Sequence, residues 1–309
     1  MVASSGIEAL GQKYLAIVNP AAGGGKRSKL LGPALDRLRA GGLEIEVAPT
    51  ASPRQATEIA SGAYRRGVRK FIAVGGDGTS YEVVNGLYPQ ALGAEPPTLA
   101  FLPLGTGNSF LRDFSDQGVE YGIESLLANR ARCSDVLRLR HRHGVIHYIN
   151  LLSVGFTADV AALRARRFSA WGEPGYLASI FLALARFHRR PFPLRVEAEA
   201  AYDTRRCLFL AFSNSKYTGG TMRIAPNADV SDGLIEYVRW GPIGRLGLIR
   251  NLPTLYDGTH INHPLAERKA VRRIEFNLEG PVDVMVDGEV LSLHCQELDV
   301  LPGALNVVA

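Results

Sequence analysis

Residues 71–80 read Phe-Ile-Ala-Val-Gly-Gly-Asp-Gly-Thr-Ser, and few folds accommodate that order. Val68 to Val74 are largely apolar and β-branched, which predicts a buried strand. Gly75-Gly76-Asp77-Gly78 then breaks it, and glycines at a strand end let backbone N–H groups come close to a ligand. Tyr81, Val83, Val84 and Leu87 follow at the spacing of one buried helix face. Strand, glycine turn and helix N-terminus together suit an anion, because unpaired N–H groups and the helix dipole point at it. Asp77 stands among those donors. A carboxylate there repels phosphate unless a cation lies between, so the turn hints at a metal-bound nucleotide. Taken alone, it fits a structural βα connection with Asp as the helix cap equally well.

Two further turns alter that balance. Tyr14 to Val18 is an apolar strand leading into Asn19-Pro20-Ala21-Ala22-Gly23-Gly24-Gly25-Lys26. Thr98 to Pro103 is another, leading into Leu104-Gly105-Thr106-Gly107-Asn108. In a parallel sheet all three turns converge at one edge, where open α/β sheets bind ligands. Neither standard nucleotide fingerprint is present. Pro20 occupies the place of a P-loop's first glycine, Arg27 follows Lys26, and no strand end carries G-x-G-x-x-G before a helix.

The 309 residues exceed the usual size of a single core and predict two domains. From 14 to about 130, strands alternate with helices. Leu30, Leu31, Ala34, Leu35 and Leu38 form a helix face ended by Gly41-Gly42, and Leu43, Ile45 and Val47 alternate as a strand. Ser52-Pro53-Arg54-Gln55 matches a capping box with proline at the first helical position. This is a parallel α/β pattern. Beyond 134, strands are predicted at Val136–Leu139, Val145–Leu152, Leu194–Ala200, Leu208–Phe212, Leu234–Val238, Ile274–Leu278 and Val282–Val286. Asp232-Gly233, Glu279-Gly280 and Asp287-Gly288 read as turns among them. The expected division is an α/β nucleotide-binding domain with a parallel sheet over 1–130 and a β-rich, antiparallel, sandwich-like domain over 131–299.

Cys133, Cys207 and Cys295 are too few and scattered for a disulfide framework or metal spacing, which suits a reducing cytosol. Met1 to Gly6 lacks the basic and apolar regions of a secretion signal. The net charge of +5 comes without a basic motif interleaved with aromatics, so nucleic acid is not an expected partner. His141, His143 and His147 flank Gly144 and read as a solvated hairpin tip, and His260 and His263 as loop residues, rather than zinc ligands. Asp229 and Asp232, with a backbone carbonyl, have a spacing that can hold a hard cation through oxygen.

Asn19-Pro20…Gly23, Gly75-Gly76-Asp77-Gly78-Thr79…Glu82-Val83-Val84-Asn85-Gly86 and Pro103-Leu104-Gly105-Thr106-Gly107-Asn108 resemble the three signatures of the diacylglycerol kinase and sphingosine kinase catalytic domain, whose family includes bacterial soluble lipid kinases. The resemblance continues in order through Gly155-Phe156-Thr157-Ala158-Asp159-Val160, Ala225-Pro226-Asn227-Ala228-Asp229, Asp232-Gly233-Leu234 and Asp287-Gly288-Glu289. It implies ATP contacts at Asn19, Pro20, Ala21, Ala22, Gly23, Thr50, Gly76, Asp77, Gly78, Thr79, Ser80, Tyr81, Glu82 and Thr106. It implies a magnesium site at Asp229, Asp232 and the Leu234 carbonyl. Glu289 would be the proton acceptor, Asp77 has a catalytic role in the sphingosine kinase branch, and Asp159 matches the aspartate that contacts an amino-alcohol head group there. A C-terminal segment, about 300–309, would return to the first domain. The chain departs from the pattern where Ala22 replaces a serine and extra glycines delay Lys26. It departs again at Asn108-Ser109-Phe110, where many members have Asn-Asp-Phe.

The implied activity is ATP-dependent phosphorylation of a lipid alcohol, diacylglycerol-like, with a sphingoid base as the alternative. NAD kinase shares Gly-Gly-Asp-Gly-Thr but carries an Asn-Glu pair in a later loop, where this chain has Gly107-Asn108-Ser109. A non-catalytic lipid-binding protein is the remaining alternative, and the presence of Asp77 and Glu289 opposes it. The expected location is cytoplasmic and peripheral to a membrane, and a homodimer is left open. Between Arg164 and Arg190 lie six arginines and one acid, Glu173, with Phe168, Trp171, Tyr176, Leu177, Ile180, Phe181, Leu184 and Phe187. This segment reads either as a core-facing helix or as a contact with an anionic membrane through Arg166, Arg167, Arg189 and Arg190.

Overall fold

The computed structural model describes residues 13–309 apart from 26–27, 106–107, 169–171, 187–188 and 198. The chain divides into two units, Met1–Val136 with Pro302–Ala309, and Leu137–Leu301.

In the first unit, strands β1 (Tyr14–Val18), β2 (Ile45–Pro49), β3 (Lys70–Gly75) and β4 (Thr98–Pro103) run parallel in the order β2-β1-β3-β4. Residues Asn306–Val308 pair with β4, also in parallel. Helices α1 (Leu31–Ala40), α2 (Gln55–Arg65), α3 (Asp77–Leu87) and α4 (Val119–Leu127) connect and flank these strands. Ala16, Val18, Ile72, Val74, Ala100 and Leu102 pack against α1 and α4. The alternate residues Leu15, Ile17, Phe71, Ala73 and Leu99 are buried as well. Burial on both faces is why these strands read as unbroken apolar runs. β2 is an edge strand, so Ile45 is buried while Val47 is exposed. Gly86 fits where α3 crosses α2, because a Cβ there would lie 2.4 Å from the Thr57 carbonyl oxygen.

α2 starts at Gln55, not at Pro53, after Arg54 adopts φ +69°. The expected box does not form: the Gln55 side chain accepts the N–H of Ala51 instead of Ser52, and the cap comes from elsewhere.

The second unit is antiparallel. Its strands are β5 (Ala131–His141, entering from the first unit), β6 (Gly144–Tyr148), β7 (Leu151–Gly155), β8 (Arg190–Pro191), β9 (Leu194–Val196), β10 (Arg206–Cys207), β11 (Phe209–Ser213) and β12 (Ile235–Trp240). They continue as β13 (Ala266–Val271), β14 (Arg273–Phe276), β15 (Val282–Val286), β16 (Glu289–Leu293) and β17 (Cys295–Val308). One sheet runs β13-β12-β11-β7-β15-β16. Its face with Leu151, Phe209, Ala211, Val238 and Trp240 shares a core with helices α5 (Phe156–Leu163), α6 (Gly172–Ala185), α7 (Arg245–Asn251) and α8 (Thr254–Asp257). From β11, Phe212 meets Phe276 of β14 edge-on at 5.4 Å, which joins this sheet to a second layer where β14 pairs with β9 and β17. Parallel α/β followed by an antiparallel β sandwich is the fold class that the sequence predicts.

Several local expectations fail for non-local reasons. Asp287-Gly288 does join hairpin neighbours, β15 and β16. Glu279-Gly280 instead links strands of different layers, and Asp232-Gly233 ends a long connection before β12. The Leu194–Ala200 strand stops at Val196, where Glu197 takes φ +46°. His147 is buried on β6, where burial lowers its pKa to about 4, and is no part of a solvated tip. His260 is buried too, with its ring nitrogens 3.2 Å from the Thr254 and 3.0 Å from the Ile224 carbonyl oxygen.

Candidate nucleotide site and acceptor carboxylates

The strand order reverses direction at β1 and β3, and that switch point is where open parallel sheets take ligands. All three glycine turns meet there. The Asn19 N–H donates to the Val74 carbonyl at 3.0 Å, and the Gly105 N–H to the Gly75 carbonyl at 2.8 Å. Gly76 and Gly105 touch backbone to backbone, since a Cβ on Gly105 would lie 2.4 Å from the Gly76 Cα. Gly76 caps α3, whose first residues are Asp77 and Gly78, so its leading N–H groups face this corner. Gly75, Gly76, Asp77, Ser80, Asn108 and Phe110 are among the residues that line a small crevice there of about 10 Å³, room for about one water.

Asp77 is engaged across the turns. Its Oδ1 accepts the Ser109 N–H at 2.8 Å and its Oδ2 the Ser109 hydroxyl at 3.1 Å. Burial raises its pKa to about 6, against the lowering effect of those bonds and of the Phe110 N–H. Asp77 therefore holds the third turn to α3 and titrates close to neutrality. Its partner Ser109 is the residue at which the chain departs from Asn-Asp-Phe.

Other expected ATP contacts serve the scaffold in this structure. Asn19 Oδ1 accepts the Ala21 N–H at 3.0 Å, and its Nδ2 reaches Thr79 Oγ1 at 3.5 Å. Pro20 and Ala21 are exposed, while Ala22 and Gly23 enter a 3-10 turn. The Thr50 hydroxyl donates to the Val18 carbonyl at 3.2 Å. Ser80 Oγ lies 3.5 Å from the Gly76 carbonyl, and the Tyr81 carbonyl accepts Asn85 Nδ2 at 2.9 Å. The Glu82 carboxylate accepts the Arg54 and Ala56 N–H groups at 2.9 and 3.2 Å, which supplies the missing cap of α2. Lys26 and Thr106 lie outside the described residues.

In the second unit, Glu289 is exposed at the start of β16. Two residues earlier, Asp287 is only 3% exposed and its carboxylate accepts the N–H groups of Ile149, Asn150 and Leu151 at 3.1, 3.1 and 2.9 Å. This caged carboxylate escaped the sequence reading, which took Asp287-Gly288 as a turn. Asp159, on α5, is bound through both oxygens by Arg190 Nη2 at 2.6 Å.

A family model described as the diacylglycerol kinase catalytic domain matches residues 13–139. One described as the YegS C-terminal NAD kinase beta sandwich-like domain matches residues 150–309. The chain belongs to this family of lipid kinases. Among relatives of this lipid kinase, a Mycobacterium tuberculosis protein named "Diacylglycerol kinase" is 27% identical over 301 residues, covering 96% of this chain and 94% of its own. A Bacillus subtilis "Diacylglycerol kinase" is 25% identical, covering 90% and 92%. Two solved structures from Bacillus anthracis str. Sterne superpose with TM-scores of 0.76 and 0.71 at 23% and 21% identity. Each covers 96% of this chain, with 95% and 96% of its own covered, and the second is titled as a diacylglycerol kinase. At that identity the likeness carries the fold alone.

The two aspartates among the kinase's expected magnesium ligands each accept local hydrogen bonds through one oxygen. Asp229 Oδ1 accepts the Ser231 N–H and hydroxyl at 3.0 and 2.9 Å, and Asp232 Oδ1 accepts the Leu234 N–H at 2.9 Å. Each carboxylate closes a local turn. Among the described residues, no three acidic, histidine or cysteine side chains group as a metal site. Two carboxylates and a carbonyl fall short of the six oxygens a hard cation takes, so water would have to supply the rest.

Proposed function

We propose that this lipid kinase transfers the γ-phosphoryl group of ATP, as its magnesium salt, to the hydroxyl of a diacylglycerol-like lipid. The phosphates would take the N–H groups at Gly76–Gly78, where the α3 dipole favours anions. Magnesium arriving with the nucleotide offsets the charge of Asp77, which is mostly ionised at neutral pH. The acceptor oxygen attacks the γ-phosphorus, the bond to the β-phosphate oxygen breaks, and ADP leaves. Glu289 takes the hydroxyl proton. A bilayer-resident acceptor and a cytoplasmic nucleotide put the reaction at the inner surface of a membrane.

The observation that favours a neutral acceptor is the Arg190–Asp159 pair. In the sphingosine kinase pattern, the aspartate at this position meets a cationic amino alcohol. Here a guanidinium already holds both carboxylate oxygens. A sphingoid base would have to displace it and meet its positive charge.

Labelled ATP with dioleoylglycerol, monoacylglycerol, sphingosine and NAD, each alone, tests this reading. Dioleoylglycerol should be turned over fastest, NAD not at all, and Arg190→Gln should raise the sphingosine rate relative to dioleoylglycerol. Preference of the wild-type enzyme for sphingosine would refute the substrate assignment.

A further inference from the structure

The first unit brings a fourth strand end to the corner where the three glycine turns meet. β2 runs parallel to β1 with Pro49 beside Val18, so its exit loop, residues 50–54, leaves at the same edge. That loop is tied down at both ends. The Thr50 N–H and hydroxyl donate to the Val18 carbonyl at 2.8 and 3.2 Å, next to the first turn. The Arg54 N–H donates to Glu82 Oε1 on α3 at 2.9 Å.

Arg54 holds a backbone conformation that does not suit its side chain. It is left-handed, with φ +69° and ψ −4°, which glycine adopts freely and a residue with a Cβ adopts at a cost. Nothing that the side chain does within the fold offsets that cost. It caps no N–H of α2, and it is exposed. Among the described residues, its guanidinium has no hydrogen bond, ion pair or ring contact. What keeps Arg54 in place is Glu82, whose carboxylate takes the Arg54 and Ala56 N–H groups and whose carbonyl takes the Thr57 hydroxyl at 2.9 Å. Strained backbone that its surroundings over-determine gathers at functional sites.

We infer that Arg54 is a nucleotide-binding residue whose guanidinium meets the phosphates of ATP, and that Glu82 is the positioning residue that aims it. The inference rests on the proposed nucleotide site. Glu82 lies five residues after Asp77, about 7.5 Å along the helix axis from the start of α3, which is within the reach of an arginine side chain. The leading N–H groups of α3 carry only partial positive charge, and the Asp77 carboxylate beside them repels phosphate. A guanidinium supplies a full charge and a fork of donors that matches phosphate oxygens. Glu82, expected as an ATP contact, thereby acts on the nucleotide through the loop. The sequence gives no sign of this, because Ser52-Pro53-Arg54-Gln55 reads as an ordinary helix start and the left-handed turn at Arg54 is imposed by a residue on another helix.

Isothermal titration of the full chain with magnesium-ATP and with adenosine, beside thermal melts, tests the inference. Arg54→Gln should weaken magnesium-ATP by roughly ten-fold, the lower range for a hydrogen bond to a charged group, and leave adenosine unchanged. Arg54→Gly should lose the same ATP affinity yet melt above the wild type, because glycine is unstrained at this φ. Glu82→Ala should weaken ATP as well, and adding Arg54→Gln to it should weaken ATP no further, since both changes remove one contact. Unchanged ATP affinity in Arg54→Gln overturns the inference. So does an equal loss for adenosine, or a lower melt in Arg54→Gly, because either would make Arg54 a structural part of the loop. Full additivity of Glu82→Ala and Arg54→Gln overturns the link between the two residues. The expected ATP results in an enzyme that phosphorylates no lipid leave Arg54 standing and sink the acceptor reading alone. Normal lipid phosphorylation with full ATP affinity in Arg54→Gln does the reverse.

Discussion

Ser109→Ala tests the link between the third glycine turn and Asp77. Burial pushes the Asp77 pKa from 3.8 to about 6, and the Ser109 hydroxyl is among the groups that hold it down. A hydrogen bond to a charged group contributes about 1.5–3 kcal/mol. Part of that persists with the neutral carboxyl, which leaves a preference of about 1–1.5 kcal/mol for the ionised form. At 1.36 kcal/mol per pH unit, removing the hydroxyl should raise the midpoint by roughly one unit, to near 7. The Ser109 N–H bond to Oδ1 remains in the variant. Carbon-13 NMR of labelled aspartate carboxyls, with Asp77→Asn to assign the signal, reads the midpoint without reference to turnover. Ser109→Thr keeps the hydroxyl and should stay close to the wild type. The sign for stability follows from linkage. The folded state binds this proton more tightly than the unfolded state, so between pH 3.8 and about 6 the Asp77 contribution falls as pH rises. In Ser109→Ala that decline should extend to higher pH. A midpoint that is unchanged or lower in Ser109→Ala would refute the reasoning.

Glu289→Gln should cut turnover by roughly 10²–10⁴-fold. Isothermal titration should find ATP affinity retained, and lost affinity at a normal rate would make Glu289 a binding residue. Asp287→Asn places an amide donor against a set of backbone donors and should cost about 1–3 kcal/mol in urea unfolding; a change of a few tenths would mean that the cage does not hold the turn. Glu82→Ala leaves the Arg54 and Ala56 N–H groups uncapped and should cost about 1 kcal/mol in thermal unfolding. Gly105→Ala drives a methyl group into Gly76 and should lower both stability and ATP binding, whereas a normal melt with normal ATP binding would show that the two turns can part.

Where burial is complete, the sequence is easy to read. β1 and β4 are predicted at their observed ends because both faces are covered and every residue is apolar or small. The three glycine turns announce their meeting point for the same reason: parallel strands bring their C-terminal ends together. Local patterns mislead where a distant residue decides. Val145–Leu152 reads as one strand, but the N–H groups of Ile149, Asn150 and Leu151 turn to the Asp287 carboxylate, and the run breaks into β6 and β7. The start of α2 is displaced because Glu82, on another helix, provides the cap. An Asp-Gly pair marks a turn but not which strands it joins, so Asp232-Gly233 and Asp287-Gly288 look alike in sequence and differ in the fold. Ser109 stood out only as a departure from a family pattern. Its partner becomes visible once the second and third turns touch.

The pairing of Asn306–Val308 with β4 has a consequence for biosynthesis. Translation delivers β1 to β4 early, and residues 306–308 only after the whole second unit has been made. Until then β4 offers an open edge of unpaired backbone groups on an apolar strand, which is a template for pairing with another chain. Closing it joins residues far apart in sequence, a slow class of contact. The nascent first unit therefore passes through an interval in which it is largely formed yet adhesive, and chaperones that shield strand edges would matter most in that interval.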